Sequence, residues 1–450
     1  MRLVYCMYSE RISLILSKAQ AKEGDRIRLE TERGTFEGIL MPRPDTGNSN
    51  VIVIKRDDGY NVGVEFSDKC IVKKLGSRSG EFSFPKYEAR GNRSLPGISM
   101  IYTGGTIGSK VDYVTGGVYM LTKPEELLYE VPEIYEMADL RIRNLMSIAS
   151  EDMTYKEWAS IAETVASELN DGSSGIVITH GTDTMHYTAA ALSFMLKDLN
   201  ATVAITGAQR SSDRGSSDAF VNLVRSFQVA AGSDIAEVGI CMHAGSSDGK
   251  NYFIRGTKAR KMHTSRRDAF KPVNSTPICT IDEGGKLEYI SEYRHKEHGK
   301  GKVKAVTGFE PKVALIKTHP NSDPGIIEYY MGKGYRGIIL EGTGLGHVPS
   351  SPSIKDLSWL SNVKRAVDAG IVVGVTSQCI YGRVNDKVYR NLRLLKEAGG
   401  IHCEDMMPEV AYVKLGFLLG NYKSEEARKM LAVNIAGEIT ERSVADFDLV

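Results

Sequence analysis

Residues 97–243 alternate between short apolar runs and segments with helical apolar spacing, and this alternation limits the possible folds more than any other feature of the chain. The runs at 98–101, 176–178, 201–206 and 238–242 are typical of buried strands. Two intervening segments each place apolar side chains on one helical face: Trp158, Ile161, Ala162, Val165, Ala166 and Leu169, then Phe220, Leu223, Val224, Phe227, Ala230 and Ala231. Strands that alternate with such helices indicate a parallel sheet covered on both faces, so we predict an α/β fold.

Two of these strand patterns lead directly into loops that carry hydroxyl groups. Residues 102–109 read YTGGTIGS, in which Thr103 is followed by Gly104 and Gly105. Adjacent glycines allow a tight turn and a close approach of the backbone to a ligand. Residues 179–185 read THGTDTM and add Thr182 and the carboxylate of Asp183. Because ligands of open α/β sheets bind beyond the carboxyl ends of the strands, we expect the functional site at these loops.

A threonine hydroxyl becomes a useful nucleophile when a base removes its proton, and the chain offers candidates for both roles. Thr103 and Thr182 supply the hydroxyl groups. Lys258, in the segment 253–261, can act as the base if burial or nearby cations lower its pKa, with Asp183 holding it in place. The backbone N–H groups of the loop at Gly104 and Gly105 can stabilise an oxyanion. This set of groups predicts acyl transfer through a threonine ester, completed by water.

Three simpler interpretations stay open on the residues alone. The Gly104-Gly105 pair can be an ordinary tight turn, and Asp183 can be a helix N-cap. A phosphate cradle at a helix N-terminus is the rival functional interpretation, although neither GxGxxG nor GxxxxGK[ST] occurs in the chain. The basic cluster in residues 255–267 is either a solvated face or a contact for tRNA phosphates or a partner protein.

The flanking segments predict further domains. Residues 1–75 contain several short strand patterns with tight turns and predict a small β-barrel domain, followed by a linker at 76–95. We assign the α/β domain with the two loops to residues 96–290. The charged stretch 283–309 suggests a surface excursion and linker, which we bound at 291–311, and residues 312–450 predict a smaller α/β domain.

Composition excludes several classes of protein. The net charge of +1 provides no overall attraction to nucleic acid, and we expect no membrane-spanning segment and no signal peptide. The six cysteines and nine histidines are scattered without metal-ligand spacing, so we expect reduced thiols, no metal site and a cytoplasmic location.

The two loop sequences also resemble a known family. Residues 103–107 (TGGTI) and 180–185 (HGTDTM) resemble the two signatures of bacterial-type L-asparaginases, and the resemblance extends over about 97–450. It implies a two-domain asparaginase-like α/β core, with Thr103 as the loop nucleophile and a Thr-Asp-Lys group that activates the nucleophile or water. It also implies an active-site lid and a substrate-binding serine loop. The implied residues are Thr182, Asp183 and Lys258 for the activating group, Tyr113 for the lid, and Ser150, Glu151 and Gly181 for substrate binding.

The N-terminal barrel has no place in a minimal asparaginase. A barrel before an asparaginase-like core resembles the D-subunit family of archaeal glutamyl-tRNA(Gln) amidotransferases. That resemblance implies release of ammonia from glutamine or asparagine, for amidation of glutamate on tRNA(Gln) by a partner, the E subunit, that uses ATP and Mg. It also implies a homodimer within a heterotetramer, and no cofactor bound by this chain itself. A free-standing L-asparaginase and an inactive tRNA- or protein-binding scaffold remain the alternatives.

Overall fold

The computed structural model of the protein describes residues 8–41, 50–56, 61–76, 94–111, 118–120, 131, 133–212, 216–297 and 301–443. Together they form a small N-terminal β domain and two α/β domains. No helix within these ranges combines the length and the apolar character needed to cross a membrane.

The N-terminal domain is built from one helix and a five-stranded antiparallel sheet. Its elements are α1 (Glu10–Lys18), β1 (Arg26–Thr31), β2 (Gly34–Leu40), β3 (Val51–Lys55), β4 (Asn61–Glu65) and β5 (Ile71–Gly76). The strands lie in the order β4-β3-β2-β1-β5. The helix begins where Ser9 accepts a hydrogen bond from the Ile12 N–H, and it buries Ile12 and Leu16 against the sheet.

The larger α/β domain is centred on an eight-stranded mixed sheet. Its strands are β6 (Gly97–Tyr102), β7 (Ser109–Val111), β8 (Val118–Met120), β9 (Asp139–Asn144), β10 (Gly175–Thr179), β11 (Leu196–Lys197), β12 (Thr202–Thr206), β13 (Val238–His243), β14 (Lys250–Arg255), β15 (Ala259–Lys261), β16 (Phe270–Pro272), β17 (Cys279–Asp282), β18 (Leu287–Tyr289) and β19 (Lys304–Ala305). The central sheet has the order β18-β17-β14-β13-β12-β10-β6-β9, and β13, β12, β10, β6 and β9 are parallel. The helices are α2 (Ile134–Met137), α3 (Tyr155–Asn170), α4 (Met185–Met195) and α5 (Ala219–Gly232).

The smaller α/β domain has a four-stranded parallel sheet in the order β20-β21-β22-β23. Its strands are β20 (Val313–Lys317), β21 (Gly337–Gly342), β22 (Val372–Ser377) and β23 (Ile401–His402). Its helices are α6 (Gly325–Gly332), α7 (Leu360–Asp368), α8 (Arg390–Glu397), α9 (Pro408–Asn421) and α10 (Ser424–Met430).

The predicted fold class is confirmed, including the two helices read from apolar spacing. In α3 the predicted face is buried from Trp158 to Ala166, and in α5 Leu223 and Phe227 are fully buried. The stretch 283–309 differs from the prediction, since it is more than a surface linker. It contains β18, which extends the central sheet, and β19, which pairs with β11.

The two α/β domains share a packed core. Helix α9 of the smaller domain lies against α4 of the larger domain, and the rings of Phe417 and Phe194 stack with centroids 6.1 Å apart. Because α4 begins just after the loop that carries Thr182 and Asp183, the smaller domain supports this loop from behind.

Candidate active site

The register of two neighbouring parallel strands brings the two predicted loops together. Tyr102, the last residue of β6, lies opposite Thr179, the last residue of β10. Thr103 follows directly, and both its backbone N–H and its hydroxyl group donate to the carbonyl oxygen of Thr179, at 3.2 and 2.7 Å. The side chain of Thr103 is fully buried, so its hydroxyl group has one defined position at the carboxyl end of the sheet.

The glycines of the first loop allow it to touch the second. Gly104 and Gly105 have φ angles of 109° and 89°, a region that side chains disfavour. A Cβ atom on Gly105 would lie 2.4 Å from the backbone nitrogen of Gly181. The structure therefore brings Gly105 and Gly181 into contact, and a residue larger than glycine does not fit at position 105.

Lys261 is the lysine whose side chain contacts the second loop. Its Nζ atom donates to the Thr182 hydroxyl oxygen at 2.9 Å and to Asp183 Oδ1 at 2.6 Å. The Lys261 side chain is only 10% exposed, whereas the Asp183 side chain is 66% exposed. A hydroxyl group, an amine and a carboxylate thus form a connected set beside the loop of Thr103.

The expectation that Asp183 holds Lys258 is wrong. The Nζ atom of Lys258 instead donates to Asp405 Oδ2 of the smaller domain, at 2.7 Å. Asp405 also accepts from the backbone N–H and the hydroxyl group of Thr440, at 3.0 and 2.6 Å. Burial lowers the pKa of Lys258 and the charge of Asp405 opposes this effect. Lys258 therefore joins the two α/β domains and does not contact Thr182 or Asp183.

The predicted serine loop lies against the same site. Ser150 is buried, and its carbonyl oxygen accepts from the Thr184 hydroxyl group at 2.6 Å. A Cβ atom on Gly181 would lie 2.8 Å from Ser150 Oγ, so this loop touches the second signature directly. Glu151 is exposed beside it. Tyr113 lies outside the described residues.

His180 orders the second loop without a role as a base. Its Nδ1 atom lies 2.6 Å from the Gly181 carbonyl oxygen, and its Nε2 atom lies 2.8 Å from the Thr188 hydroxyl oxygen. Trp158 Nε1 donates to the same hydroxyl oxygen, so Thr188 gives its own proton to Nε2, and Nδ1 carries the ring proton. Burial lowers the pKa of His180 to about 4, so the ring is neutral at pH 7.

The basic cluster of residues 255–267 is neutralised within the protein. Each of its six cations lies within 4 Å of an acidic side chain: Arg255 with Glu237, Lys258 with Asp405, Arg260 with Glu409, Lys261 with Asp183, Arg266 with Asp268, and Arg267 with Asp248. This pairing favours a structural explanation of the cluster over a tRNA contact.

The side chains that could ligate a metal ion are dispersed. Among the residues that the structure describes, no group of three or more His, Cys, Asp or Glu side chains is arranged to hold a metal ion. The groups that the site presents are the hydroxyl groups of Thr103 and Thr182, the Lys261 amine and the Asp183 carboxylate.

Comparisons with known proteins identify all three domains. Residues 97–294 match the family model "Asparaginase, N-terminal", residues 312–431 match "Glutaminase/Asparaginase C-terminal domain", and residues 21–75 match "GatD N-terminal domain". The solved L-asparaginase of Thermococcus kodakarensis is 28% identical with a TM-score of 0.67, and covers 77% of this chain and 99% of its own. L-asparaginase I of Vibrio cholerae is 31% identical with the same TM-score and coverage.

Curated relatives extend the match to nearly the whole chain. The D subunit of the glutamyl-tRNA(Gln) amidotransferase of Pyrococcus furiosus is 46% identical over 438 residues, which are 96% of this chain and 98% of the relative. That of Methanopyrus kandleri is 45% identical over 443 residues, covering 96% and 94%. With both asparaginase domains, the additional N-terminal domain and this identity over nearly the whole chain, the chain belongs to the D-subunit family of glutamyl-tRNA(Gln) amidotransferases.

Proposed function

We propose that this chain releases ammonia from glutamine or asparagine through an acyl-enzyme on Thr103. The observation that carries the proposal is the meeting of Thr103 with the hydrogen-bonded set of Thr182, Asp183 and Lys261 at the ends of two adjacent strands. A nucleophile beside a base, with backbone N–H groups nearby, is the arrangement that acyl transfer needs.

In the first half-reaction, Thr103 Oγ attacks the side-chain amide carbon of the substrate. The carbonyl oxygen becomes an oxyanion facing the backbone of Gly104 and Gly105. The C–N bond then breaks, the nitrogen takes up the proton that left Thr103, and ammonia departs from a threonine ester. Lys261 is the base that accepts a proton from Thr182, which allows Thr182 to accept one from the attacking group in turn.

In the second half-reaction, water attacks the ester carbon. Thr182 and Lys261 take the proton of the water molecule and return it to Thr103 as the ester C–O bond breaks. The products are the free threonine hydroxyl group and aspartate or glutamate. Asp183 orients the amine throughout, through its hydrogen bond to Lys261.

The ammonia is proposed to serve a second active site. The curated relatives are named as subunits of a glutamyl-tRNA(Gln) amidotransferase, and the N-terminal domain accompanies the asparaginase core in this chain. We propose a cytoplasmic assembly, a heterotetramer in which two copies of this chain pair with a partner of the E-subunit type. The partner binds glutamate-charged tRNA(Gln) and uses ATP and Mg to activate the glutamyl group that the ammonia amidates. Tyr113 is proposed as the lid residue, and Ser150, Glu151 and Gly181 as substrate contacts.

Ammonia release from glutamine and from asparagine tests this function. It is measured for the purified chain alone, with the partner protein, and with the partner plus charged tRNA. We expect the partner and the tRNA to raise the rate, and Thr103→Ala to abolish it. A high rate from the lone chain that ignores both additions would identify a free-standing asparaginase. Absence of ammonia under every condition would identify an inactive scaffold.

A further inference from the structure

A buried polar network centred on Asn222 joins α5 to three neighbouring strands, β12, β13 and β14. Asn222 Nδ2 donates to the Gly207 carbonyl oxygen at 2.9 Å and to Asp218 Oδ2 at 3.0 Å. Its amide oxygen accepts from Asn251 Nδ2 at 2.8 Å and lies 2.6 Å from His243 Nδ1. All four polar side chains are fully buried, and we call them the Asn222 network. Buried hydrogen bonds of this kind fix the elements that carry them.

The network supports Thr182 through Gly207, the residue that follows β12. A Cβ atom on Gly207 would lie 2.6 Å from the His180 carbonyl oxygen and 3.0 Å from Thr182 Cγ2. The residue before it, Thr206, accepts a hydrogen bond from the His180 N–H at 2.8 Å. Because Asn222 holds the Gly207 carbonyl group, the network fixes the backbone against which the Thr182 loop packs.

The same network reaches Lys261 through Asp248. His243 Nε2 lies 3.0 Å from Asp248 Oδ1, and Arg267 Nη1 donates to this oxygen at 2.6 Å. Arg267 lies in the connection between β15 and β16, and β15 ends at Lys261. We call residues 259–272, which form β15, β16 and their connection, the Lys261 hairpin. A continuous series of contacts therefore runs from Asn222 to this hairpin.

The last part of this series lies near the surface. The side chain of Asp248 is 58% exposed and that of Arg267 is 19% exposed. A second contact, from Lys271 Nζ to the Ala244 carbonyl oxygen at 2.8 Å, also attaches the hairpin to the segment after β13. Loss of the Asp248 carboxylate therefore loosens the hairpin without creating a cavity in the core.

We propose that Asp248 is a positioning residue, which with Arg267 fastens the Lys261 hairpin to the same buried network that supports Thr182. This inference rests on the proposed function. The Asn222 network then holds both partners of the 2.9 Å contact between Lys261 Nζ and the Thr182 hydroxyl oxygen. Proton transfer between these groups needs hydrogen-bond distance, so a displaced hairpin slows the reaction of bound substrate.

The test is steady-state ammonia release by the full chain with its partner protein, with thermal unfolding measured for each variant. We expect Asp248→Ala to lower kcat by about 10- to 100-fold, with KM and the unfolding temperature nearly unchanged. KM is preserved because the proposed substrate contacts, Ser150, Glu151 and Gly181, lie outside this series of contacts. Asp248→Asn keeps an acceptor oxygen for Arg267 and should retain most of the wild-type kcat.

Asp234→Ala is the matched control. Asp234 is also an exposed carboxylate of the larger domain, and its Oδ2 atom lies 2.8 Å from His295 Nδ1. It precedes β13, whereas Asp248 follows this strand, so its contacts lie at the other end of the sheet. The kcat of this variant should equal that of the wild-type complex.

Arg267→Gln breaks the same link from the side of the hairpin. We expect it to lower kcat as Asp248→Ala does. The double variant Asp248→Ala/Arg267→Gln should be no slower than the slower single variant, because the two changes remove one shared interaction. If Asp248→Ala does not fold, the kcat and KM of Arg267→Gln decide the proposal.

Three results would overturn this inference and leave the proposed function standing. They are a wild-type kcat in Asp248→Ala or Arg267→Gln, losses that multiply in the double variant, and a loss that Asp248→Asn does not restore. A wild-type complex that releases no ammonia overturns both the inference and the proposed function.

Discussion

Two lysines three residues apart have opposite environments in this protein. Lys258 is buried between the α/β domains and pairs with Asp405, whereas Lys261 reaches the active-site loop and pairs with an exposed Asp183. A buried ion pair that loses one member leaves an uncompensated charge, but an exposed one does not. We therefore expect Lys258 to contribute mainly to stability and Lys261 mainly to the proposed catalysis.

The same substitution at both positions tests this difference. We expect Lys258→Gln to lower the free energy of unfolding by about 3 kcal/mol, because Asp405 is left buried and unpaired. We expect Lys261→Gln to reduce kcat/KM for ammonia release by about 10²- to 10⁴-fold while leaving thermal unfolding nearly unchanged. Denaturant unfolding and ammonia assays on the two variants provide the measurement. The reverse pattern would return the catalytic role to Lys258.

Sequence reasoning could select Thr103, Thr182 and Asp183 as candidates because they stand in loops that follow strands, and the structure places these loops side by side. It could not separate the two lysines, since both occur in one basic run. The difference between them depends on Asp405, which is 147 residues away along the chain, and on the direction in which β15 presents each side chain. The partner of Arg260, Glu409, was missed for the same reason. Only the α4–α9 packing brings Glu409 near the site.

At the scale of elements, the sequence is sufficient to predict a helix where a capping residue or the spacing of apolar residues determines it. Residues 10–16 belong to α1, and the sequence signal for this helix is the Ser9 side chain that caps its first turn. The charged residues 283–309 predicted a surface linker, and the two strands in this stretch went unrecognised because β18 and β19 are short. Their burial patterns show at most partial burial, so their pairing to existing strand edges leaves little trace in the apolar pattern.

The edge strand β23 contains a buried histidine that links stability to pH. Among the residues that the structure describes, none forms a hydrogen bond with either ring nitrogen of His402, and burial lowers the pKa of this histidine to about 4. In the unfolded chain a histidine has a pKa of about 6.5. Between these values the unfolded state binds a proton that the folded state does not, so this contribution to stability is complete above a pH of about 6.5 and is lost as the pH falls.

The His402→Phe variant isolates the contribution of the histidine ring to the pH dependence of stability. The wild-type protein should lose about 2 kcal/mol more stability than His402→Phe between a pH of about 6.5 and a pH of about 5. At pH 7 the variant should be at least as stable, since it leaves no buried nitrogen unpaired. Denaturant unfolding at the three pH values measures both effects, and His180 and His186 contribute equally in the two proteins. An identical pH dependence would show that His402 is solvated in the folded state.

At the scale of the whole molecule, the larger α/β domain supplies the proposed nucleophile Thr103 and the hydrogen-bonded set of Thr182, Asp183 and Lys261, and the smaller domain packs behind them. Two ion pairs cross between the domains close to the site, Lys258 with Asp405 and Arg260 with Glu409. The stacked rings of Phe194 and Phe417 join α4 of the larger domain to α9 of the smaller domain. Movement of one domain relative to the other would therefore displace Lys258 and Arg260, the neighbours of Lys261 in the chain.

The most direct test of the account is the identification of the residue that carries the acyl group. The wild-type complex is mixed with glutamine or asparagine, quenched in acid during turnover, digested and analysed by mass spectrometry. The account predicts a glutamyl or aspartyl ester on the peptide that contains Thr103, and its absence in the Thr103→Ala variant. An ester on Thr182, or ammonia release by Thr103→Ala at the wild-type rate, would contradict it.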